Sequence, residues 1–446
     1  MVINRFLILT TSIIVTLTLI NNCQSYKIKK EPEKHIASKE LGDYLDKQAK
    51  NAGFNGIAAI YVGQTPAYVS SYLNDDPSRD YTVSESSRFM IGSVTKQFTA
   101  ASIMLLAERK SLAVDDTIDK YFPDFPYGNM IRIKNLLNHT SGLQRDPFYD
   151  YMIEQIDKDD FDKFITKRVS NKNELRFITN SYYYNPTLEK YIIKKTVSFN
   201  NRMKILNIIF LTCYISETLD YDVDSMLKEA IARDKIKVLF YPGVRYSYSN
   251  FGYIILSSII EKAGGMKYND FIKENIFDPL GMVNSGFGYD KNSSDLLIEG
   301  YTDYDKKLPQ KIDMSFWPGG AGSAYSSASD INKWLSSFTD NSILSKESVD
   351  TLFNSFVETG YNRYGYGFMI NDYDIDSIRI SSVNHNGCMF SFNSSVHFLP
   401  DFDIKIILLS SKQNYNYLQE KWIKDIYSII IKNDIEIKNY FAKNNL

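Results

Sequence analysis

Ser93 and Lys96 stand three residues apart in Phe89-Met90-Ile91-Gly92-Ser93-Val94-Thr95-Lys96-Gln97-Phe98. At the start of a helix such a pair lies on one face, so the hydroxyl and the ammonium come within touching reach. A serine hydroxyl is a poor nucleophile at neutral pH and needs a base or a neighbouring cation. This pair supplies that help without a histidine, and the chemistry it suits is acyl transfer. A second Ser-x-x-Lys, Ser225 to Lys228, has a different context. It sits in Asp224-Ser225-Met226-Leu227-Lys228-Glu229-Ala230 and reads as the N-cap of an ordinary amphipathic helix. Ser93 instead follows Gly92, which lets the backbone approach closely, and precedes an apolar helix from Phe98 to Ala107.

Two further groups fit a shared pocket. In Pro242-Gly243-Val244-Arg245-Tyr246-Ser247-Tyr248-Ser249-Asn250, an extended backbone turns Tyr248 and Asn250 the same way. Tyr-x-Asn also begins at Tyr72, Tyr127 and Tyr183, but only Tyr248 has Pro-Gly before it and a helix, Tyr253 to Ala263, directly after. His385-Asn386-Gly387 lies on the edge of a predicted strand and holds the one histidine with a glycine two residues on. His139, in the loop-forming His139-Thr140-Ser141-Gly142, reads as a structural brace of the pocket wall. Trp317 and Tyr325 suit either the cleft lining or the core.

The elements that must position these residues follow from the pattern. Glu40 to Ala52 reads as an amphipathic helix, then Gly56 to Val62 and Ala67 to Tyr72 as a strand pair. From Ser93 to about Ser337 the pattern is mostly helical, with loops at 123–128 and 318–322. Strand signals return at Tyr366–Ile370, Ser377–Ile380, Met389–Phe398 and Ile404–Ser410, and a last helix spans about Leu418 to Lys432. The expectation is an α+β fold: one antiparallel sheet built from both chain termini, flanked by helices, with an inserted, mostly helical lobe. Ser93 then sits where the sheet and the helices meet. Residues 145–225 fit least well; they carry Tyr182-Tyr183-Tyr184 and an apolar run, Ile205 to Ile215, too short to cross a bilayer.

Composition sets the outer bounds. The chain has 446 residues, 44% of them hydrophobic, enough for a large core. A net charge of −2 gives no reason to expect nucleic acid. Arg5 precedes an apolar stretch, Phe6 to Ile20, and then Asn21-Asn22-Cys23, the layout of a secretory signal. Cys23 resembles a bacterial lipoprotein cleavage site, with Asn21 and Asn22 in place of the usual small residues. The expected organisation is a signal peptide over 1–22, a charged tether over 23–38, one hydrolase domain over 39–435 with 145–225 as an insert-like region, and a tail over 436–446. Cys213 and Cys388 make no disulfide scaffold. The four histidines, His35, His139, His385 and His397, show no pair at metal-ligand spacing, so no metal and no organic cofactor is expected.

Together the motifs resemble the serine β-lactamase and penicillin-binding superfamily, in its class C β-lactamase-like branch. Leu136-Leu137-Asn138-His139-Thr140-Ser141-Gly142-Leu143, Ile276-Phe277-Asp278-Pro279-Leu280-Gly281-Met282 and Gly322-Ser323-Ala324-Tyr325-Ser326-Ser327-Ala328-Ser329-Asp330 belong to the likeness, which covers roughly residues 39–435. The resemblance implies a β-lactamase/transpeptidase-like fold and these roles: Ser93 is the acylated nucleophile, Lys96 assists its deprotonation, and Tyr248 is the general base and then the acid for the leaving group. It places Asn250 against Lys96 and the substrate amide, makes His385 and Gly387 part of the substrate site, and builds the oxyanion hole from the backbone N–H groups of Ser93 and Cys388. A free tyrosine is only about one part in a thousand ionised at pH 7, so a basic Tyr248 needs nearby cations. Many β-lactamases carry Lys-Thr-Gly where this chain has His385-Asn386-Gly387. A histidine is mostly neutral at pH 7, which implies weaker recognition of a substrate carboxylate.

The functional expectation is a serine hydrolase of the β-lactamase, D-alanyl-D-alanine carboxypeptidase or esterase type. It acts through an acyl-enzyme on a β-lactam, a D-amino-acid peptide of the cell wall or a small ester. Its place is the cell envelope, lipid-anchored through Cys23 or secreted. The alternative is a penicillin-binding or surface-interaction lipoprotein of the same fold with little or no turnover. A Ser/Lys hydrolase of another fold leaves the tyrosine motif and the C-terminal strand motif without a place.

Overall fold

The computed structural model describes residues 37–72, 83–145, 182–185, 190–193, 223–232, 236–287, 298, 319–375, 378–389, 392–411 and 417–433. All of them fall in one compact unit, Ala37–Leu446. The described residues begin with helix α1 (Ala37–Ala52) and strands β1 (Gly56–Val62) and β2 (Thr65–Tyr72). Strand β3 (Phe89–Met90) and a 3-10 turn, Gly92–Val94, lead into α2 (Thr95–Glu108). Then come α3 (Ile133–Leu137), the hairpin β4 (Tyr182–Asn185) and β5 (Lys190–Ile193), α4 (Val223–Ala232), α5 (Asn250–Gly264), α6 (Tyr268–Ile272) and β6 (Gly286–Phe287). Next are α7 (Gly319–Gly322), β7 (Ala324–Ser326), α8 (Ala328–Asp340) and α9 (Lys346–Phe353). Strands β8 (Val357–Glu358), β9 (Arg363–Tyr364), β10 (Met369–Ile375), β11 (Ile378–Met389), β12 (Phe392–Leu399) and β13 (Ile404–Ser410) precede α10 (Tyr417–Asn433).

The main sheet runs β2-β1-β13-β12-β11-β10-β9-β8, and its pairings are antiparallel. The first and last strands of the described residues meet where β1 pairs with β13, from Gly56 opposite Ser410 to Val62 opposite Ile404. The sheet is buried on both faces there, which is why both strands read as continuous apolar runs rather than alternating ones. On β1, Ala58 and Ile60 face the core shared with Leu41 and Leu45 of α1 and Trp422 and Ile426 of α10. Ile57 and Ala59 face the opposite core, shared with Phe98 of α2, Ile255 of α5 and Trp334 of α8. This second core joins the sheet to the inserted helices, and the Ser93 turn stands on that side.

Several boundaries differ from the sequence expectation. The run Met389–Phe398 is not one strand: β11 ends at Met389 and β12 starts opposite it at Phe392. Strand β12 is buried at every position, its Asn393, Ser394, Ser395 and His397 included, so it offers no alternation to mark such a reversal. His385 therefore lies inside a central strand, between β10 and β12, and not on an edge. Tyr366 and Phe368 alternate because they pack in the core; β10 begins only at Met369. The expected loop at 318–322 contains a single helical turn, α7, held because Gly320 O accepts from Thr99 Oγ1 at 2.8 Å. Ser225 lies inside α4, past its first residue Val223, so it is not the N-cap.

Candidate active site

Gly92 takes φ +52°, a conformation that disfavours side chains, and a Cβ there would stand 2.6 Å from Cys388 N. Glycine thus lets the main chain of β11 press against the turn that carries Ser93. Ser93 is partly exposed, and Lys96, one turn on, is fully buried. Lys96 Nζ donates to Ser93 Oγ at 3.1 Å, to Asn250 Oδ1 at 2.8 Å and to the Ala321 carbonyl at 2.5 Å. A buried ammonium is costly unless its N–H groups are satisfied, and these charge-assisted bonds do that.

Tyr248 and Asn250 reach the same pair from the other side. Ser249 caps α5, its Oγ accepting from Gly252 N at 3.1 Å and donating to the Gln144 carbonyl at 2.9 Å. Helix α5 thus begins three residues earlier than expected, and Asn250 is its first residue. Either side of this cap, Tyr248 Oη donates to Ser93 Oγ at 2.9 Å and Asn250 holds Lys96. Two cations flank the Tyr248 ring: Lys96 Nζ lies 4.9 Å and Arg145 Cζ 5.1 Å from its centroid. The Arg145 carbonyl accepts from Phe251 N at 3.0 Å, which ties this arginine to the start of α5.

On β11, His385 is completely buried, with Nδ1 2.7 Å from the Asn386 carbonyl and Nε2 3.1 Å from Tyr364 Oη. Burial, with the nearby Lys96 charge, pushes its pKa down to about 3, so the imidazole is neutral at pH 7. The ring stands 6.3 Å from that of Tyr248. Gly387 packs on the Ile91 carbonyl, and the Cys388 side chain is exposed. His139 is also buried, its ring 4.3 Å from the Tyr248 ring and its Nδ1 accepting from Ser249 N at 3.1 Å. It braces the wall, as its sequence context suggests.

Ser93, Lys96, Tyr248 and Asn250 thus converge, with the Gly387–Cys388 main chain beside them. His385 is close by but gives both nitrogens to protein partners. Tyr325 packs against the core, with Arg88 Cζ 5.6 Å from its ring centre. Sequence reasoning missed Tyr364, Arg145 and the Ala321 carbonyl. Only Arg145 carried a usable signal, a cation two residues after the Leu143 that ends the His139 motif. Cys23, the signal and most of the tether, the tail at 436–446, Trp317, Cys213, the run Ile205–Ile215 and most of 145–225 lie outside the described residues. No helix among the described residues is long and apolar enough to cross a membrane.

This geometry suits acyl transfer. One hydroxyl touches both a cation and a phenol, the phenol can pass a proton between nucleophile and leaving group, and main-chain N–H groups stand near.

Comparison with known proteins adds to the geometry. The family model described as Beta-lactamase matches residues 41–185 and 216–426. Penicillin-binding protein 4* of Bacillus subtilis (strain 168) is 25% identical over 402 residues, 86% of this chain and 74% of that protein. A teichoic acid D-alanine hydrolase of Staphylococcus aureus is 22% identical over 430 residues, 93% of this chain and 86% of that protein. Among solved structures, a D-amino acid amidase from Ochrobactrum anthropi superposes with a TM-score of 0.60 at 19% identity, covering 91% of this chain and 98% of that one.

Proposed function

The chain belongs to the beta-lactamase family, and from that premise we propose that it is a serine hydrolase working through an acyl-enzyme on Ser93. The observation that carries this reading is the placement of Ser93 Oγ between Lys96 Nζ at 3.1 Å and Tyr248 Oη at 2.9 Å. Tyr248, once its phenol proton has passed to solvent, takes the Ser93 proton while Oγ attacks the substrate carbonyl carbon. The oxyanion forms against the N–H groups of Ser93 and Cys388. As the C–N or C–O bond breaks, Tyr248 returns the proton to the leaving group. Water then attacks the acyl ester by the same route in reverse. Lys96 stays an ammonium throughout, held by Asn250 and Ala321, and stabilises negative charge on both oxygens. Removing one oxyanion donor in such a site typically costs about 3–4 kcal/mol.

The substrate class we favour is a D-amino-acid ester or amide of the cell envelope. The third motif presents a neutral, buried His385, so that residue supplies no cation to hold a β-lactam carboxylate. The teichoic acid D-alanine hydrolase and the D-amino acid amidase among the similar proteins agree with that class. Export, with or without a lipid on Cys23, would bring the enzyme to such substrates.

The test is intact mass after incubation with a penicillin and, separately, with an activated D-alanyl ester, with Ser93→Ala as control. An adduct absent from the variant establishes the acyl-enzyme. Rapid decay marks a hydrolase; an adduct that persists marks a penicillin-binding role. No adduct and no turnover with either probe would sink the reading.

A further inference from the structure

The hydroxyl of Tyr364 sits between two buried histidines. Its Oη lies 3.2 Å from His139 Nε2 and 3.1 Å from His385 Nε2, and all three residues are fully buried. The outer nitrogens fix where the protons are. The Ser249 peptide N–H can only donate, so His139 Nδ1, which receives it, carries no proton, and His139 is protonated at Nε2. The Asn386 carbonyl can only accept, so His385 Nδ1, 2.7 Å away, carries the proton and Nε2 is bare. Tyr364 therefore accepts from His139 and donates to His385. Tyr253 also neighbours this hydroxyl and, with its own proton on the Leu137 carbonyl at 2.6 Å, can only accept; Gly367 already donates to it, whereas among the described residues the bare His385 Nε2 has Tyr364 alone as donor. Every donor and acceptor in the chain Ser249, His139, Tyr364, His385, Asn386 is matched in one direction.

We propose that Tyr364 is a positioning residue for the acyl transfer: its single hydroxyl holds His139 and His385 in opposite neutral tautomers and so joins the Tyr248 turn to the Gly387–Cys388 strand. The inference rests on Ser93 being the acylated residue. The mechanical sense is direct. His139 supports the Tyr248 ring at 4.3 Å and holds the amide of the next residue, Ser249. His385 stands three residues before Cys388 on β11. The two halves of the site lie on different elements, and this chain of bonds is a buried tie between them. The neutral state suits the surroundings. Lys96 and Arg145 present positive charge to His139, Lys96 presents it to His385, and the phenols of Tyr246, Tyr248 and Tyr253 face Tyr364. Burial holds both imidazoles neutral and the Tyr364 phenol protonated.

The experiment is NMR of the full chain labelled with 15N-histidine, whose four histidines keep the spectrum assignable, beside the rate of Ser93 acylation by the activated ester. The wild type should show His139 as the Nε2–H form and His385 as the Nδ1–H form, both unchanged from pH 5 to 8. Tyr364→Phe keeps the ring but strands one N–H and one lone pair. One imidazole should then switch tautomer or titrate in that range, and kcat/KM should fall by about 10- to 100-fold, mostly in kcat. Two like tautomers, or an imidazolium at pH 7, in the wild type would overturn the proposal without any variant. Unchanged histidine spectra in a folded Tyr364→Phe, or acylation within twofold of wild type, would also overturn it. Absence of any wild-type adduct would instead count against the acyl-enzyme, and the tautomers would still be read.

Discussion

Gly387 rests its Cα against the carbonyl of Ile91, so closely that a Cβ on it would fall 1.9 Å from Ile91 O and 2.3 Å from Ser394 Oγ. Ile91 leads into the turn that carries Ser93, and Gly387 precedes Cys388. The contact therefore sets the spacing between the two main-chain N–H groups proposed to hold the oxyanion. Neither obstacle can give way easily, one being backbone and the other a buried side chain whose hydroxyl already donates to Ile91 O at 2.7 Å. Gly387→Ala should push β11 off the turn. We expect a stability loss of about 1–3 kcal/mol and at least a hundredfold slower acylation, read by thermal melting and by the adduct formation rate. Wild-type acylation in this variant would show that Cys388 N is not part of the site.

Tyr248→Phe removes the one atom that links the base to Ser93 Oγ at 2.9 Å while leaving the ring on His139. Acylation by an activated ester should fall by about 10²- to 10⁴-fold, the usual worth of a positioned acid or base. Because the ring packing is kept, the melting temperature should barely move. A poor leaving group should suffer more than a good one, since Tyr248 also returns the proton. Equal losses with both leaving groups would assign the leaving-group proton elsewhere.

How much of this was open to sequence reasoning depended on distance along the chain. Ser93 and Lys96 are three apart on one helical face, so their contact follows from helix geometry alone. Tyr248 and Asn250 were legible from Pro242-Gly243 and the following apolar helix. One antiparallel sheet shared by both ends of the fold was legible from β-rich runs at each; that β1 pairs directly with β13 was not. Tyr364 was not, because its meaning comes from two histidines 225 and 21 residues away and from a register set by the sheet. Nor did the sequence show that His385 faces inward; its neighbours Asn386 and Cys388 are exposed, and one step of register decides which side of a strand is buried.

Arg145 places an exposed guanidinium 5.1 Å from the centre of the Tyr248 ring. Positive charge there favours the phenolate that the proposed mechanism needs, although solvent screens it. Arg145→Gln should slow acylation by roughly two- to fivefold, within the range of an exposed cation–π contact. The loss should shrink as salt is raised, because the wild type already loses the benefit. A loss independent of salt would mean that Arg145 acts by packing and not by charge.

Three buried histidines should make stability depend on mildly acidic pH. His385 and His397 are held down to about 3, and His139 well below its ordinary value, chiefly by burial. Unfolded, each titrates near 6.5. Above about pH 7 neither state is protonated and the groups have no effect on the balance. As pH falls below 6.5 the unfolded chain takes up protons that the folded chain refuses, so stability drops, by about 1.4 kcal/mol per pH unit for each histidine. The loss runs from about pH 6.5 towards 3, and the window from 6.5 to 4.5 lies above most carboxylate titration. His397 isolates the effect: it sits on β12, its Nε2 faces Ser395 Oγ at 3.0 Å, which in turn donates to Asn386 Oδ1, and its Nδ1 has no hydrogen-bond partner among the described residues. His397→Gln should remove about a third of the slope of unfolding free energy against pH in that window, as measured by urea denaturation, and leave acylation of Ser93 unchanged. An identical slope in the variant would mean that His397 is protonated in the folded protein, with its Nδ1 donating to an acceptor.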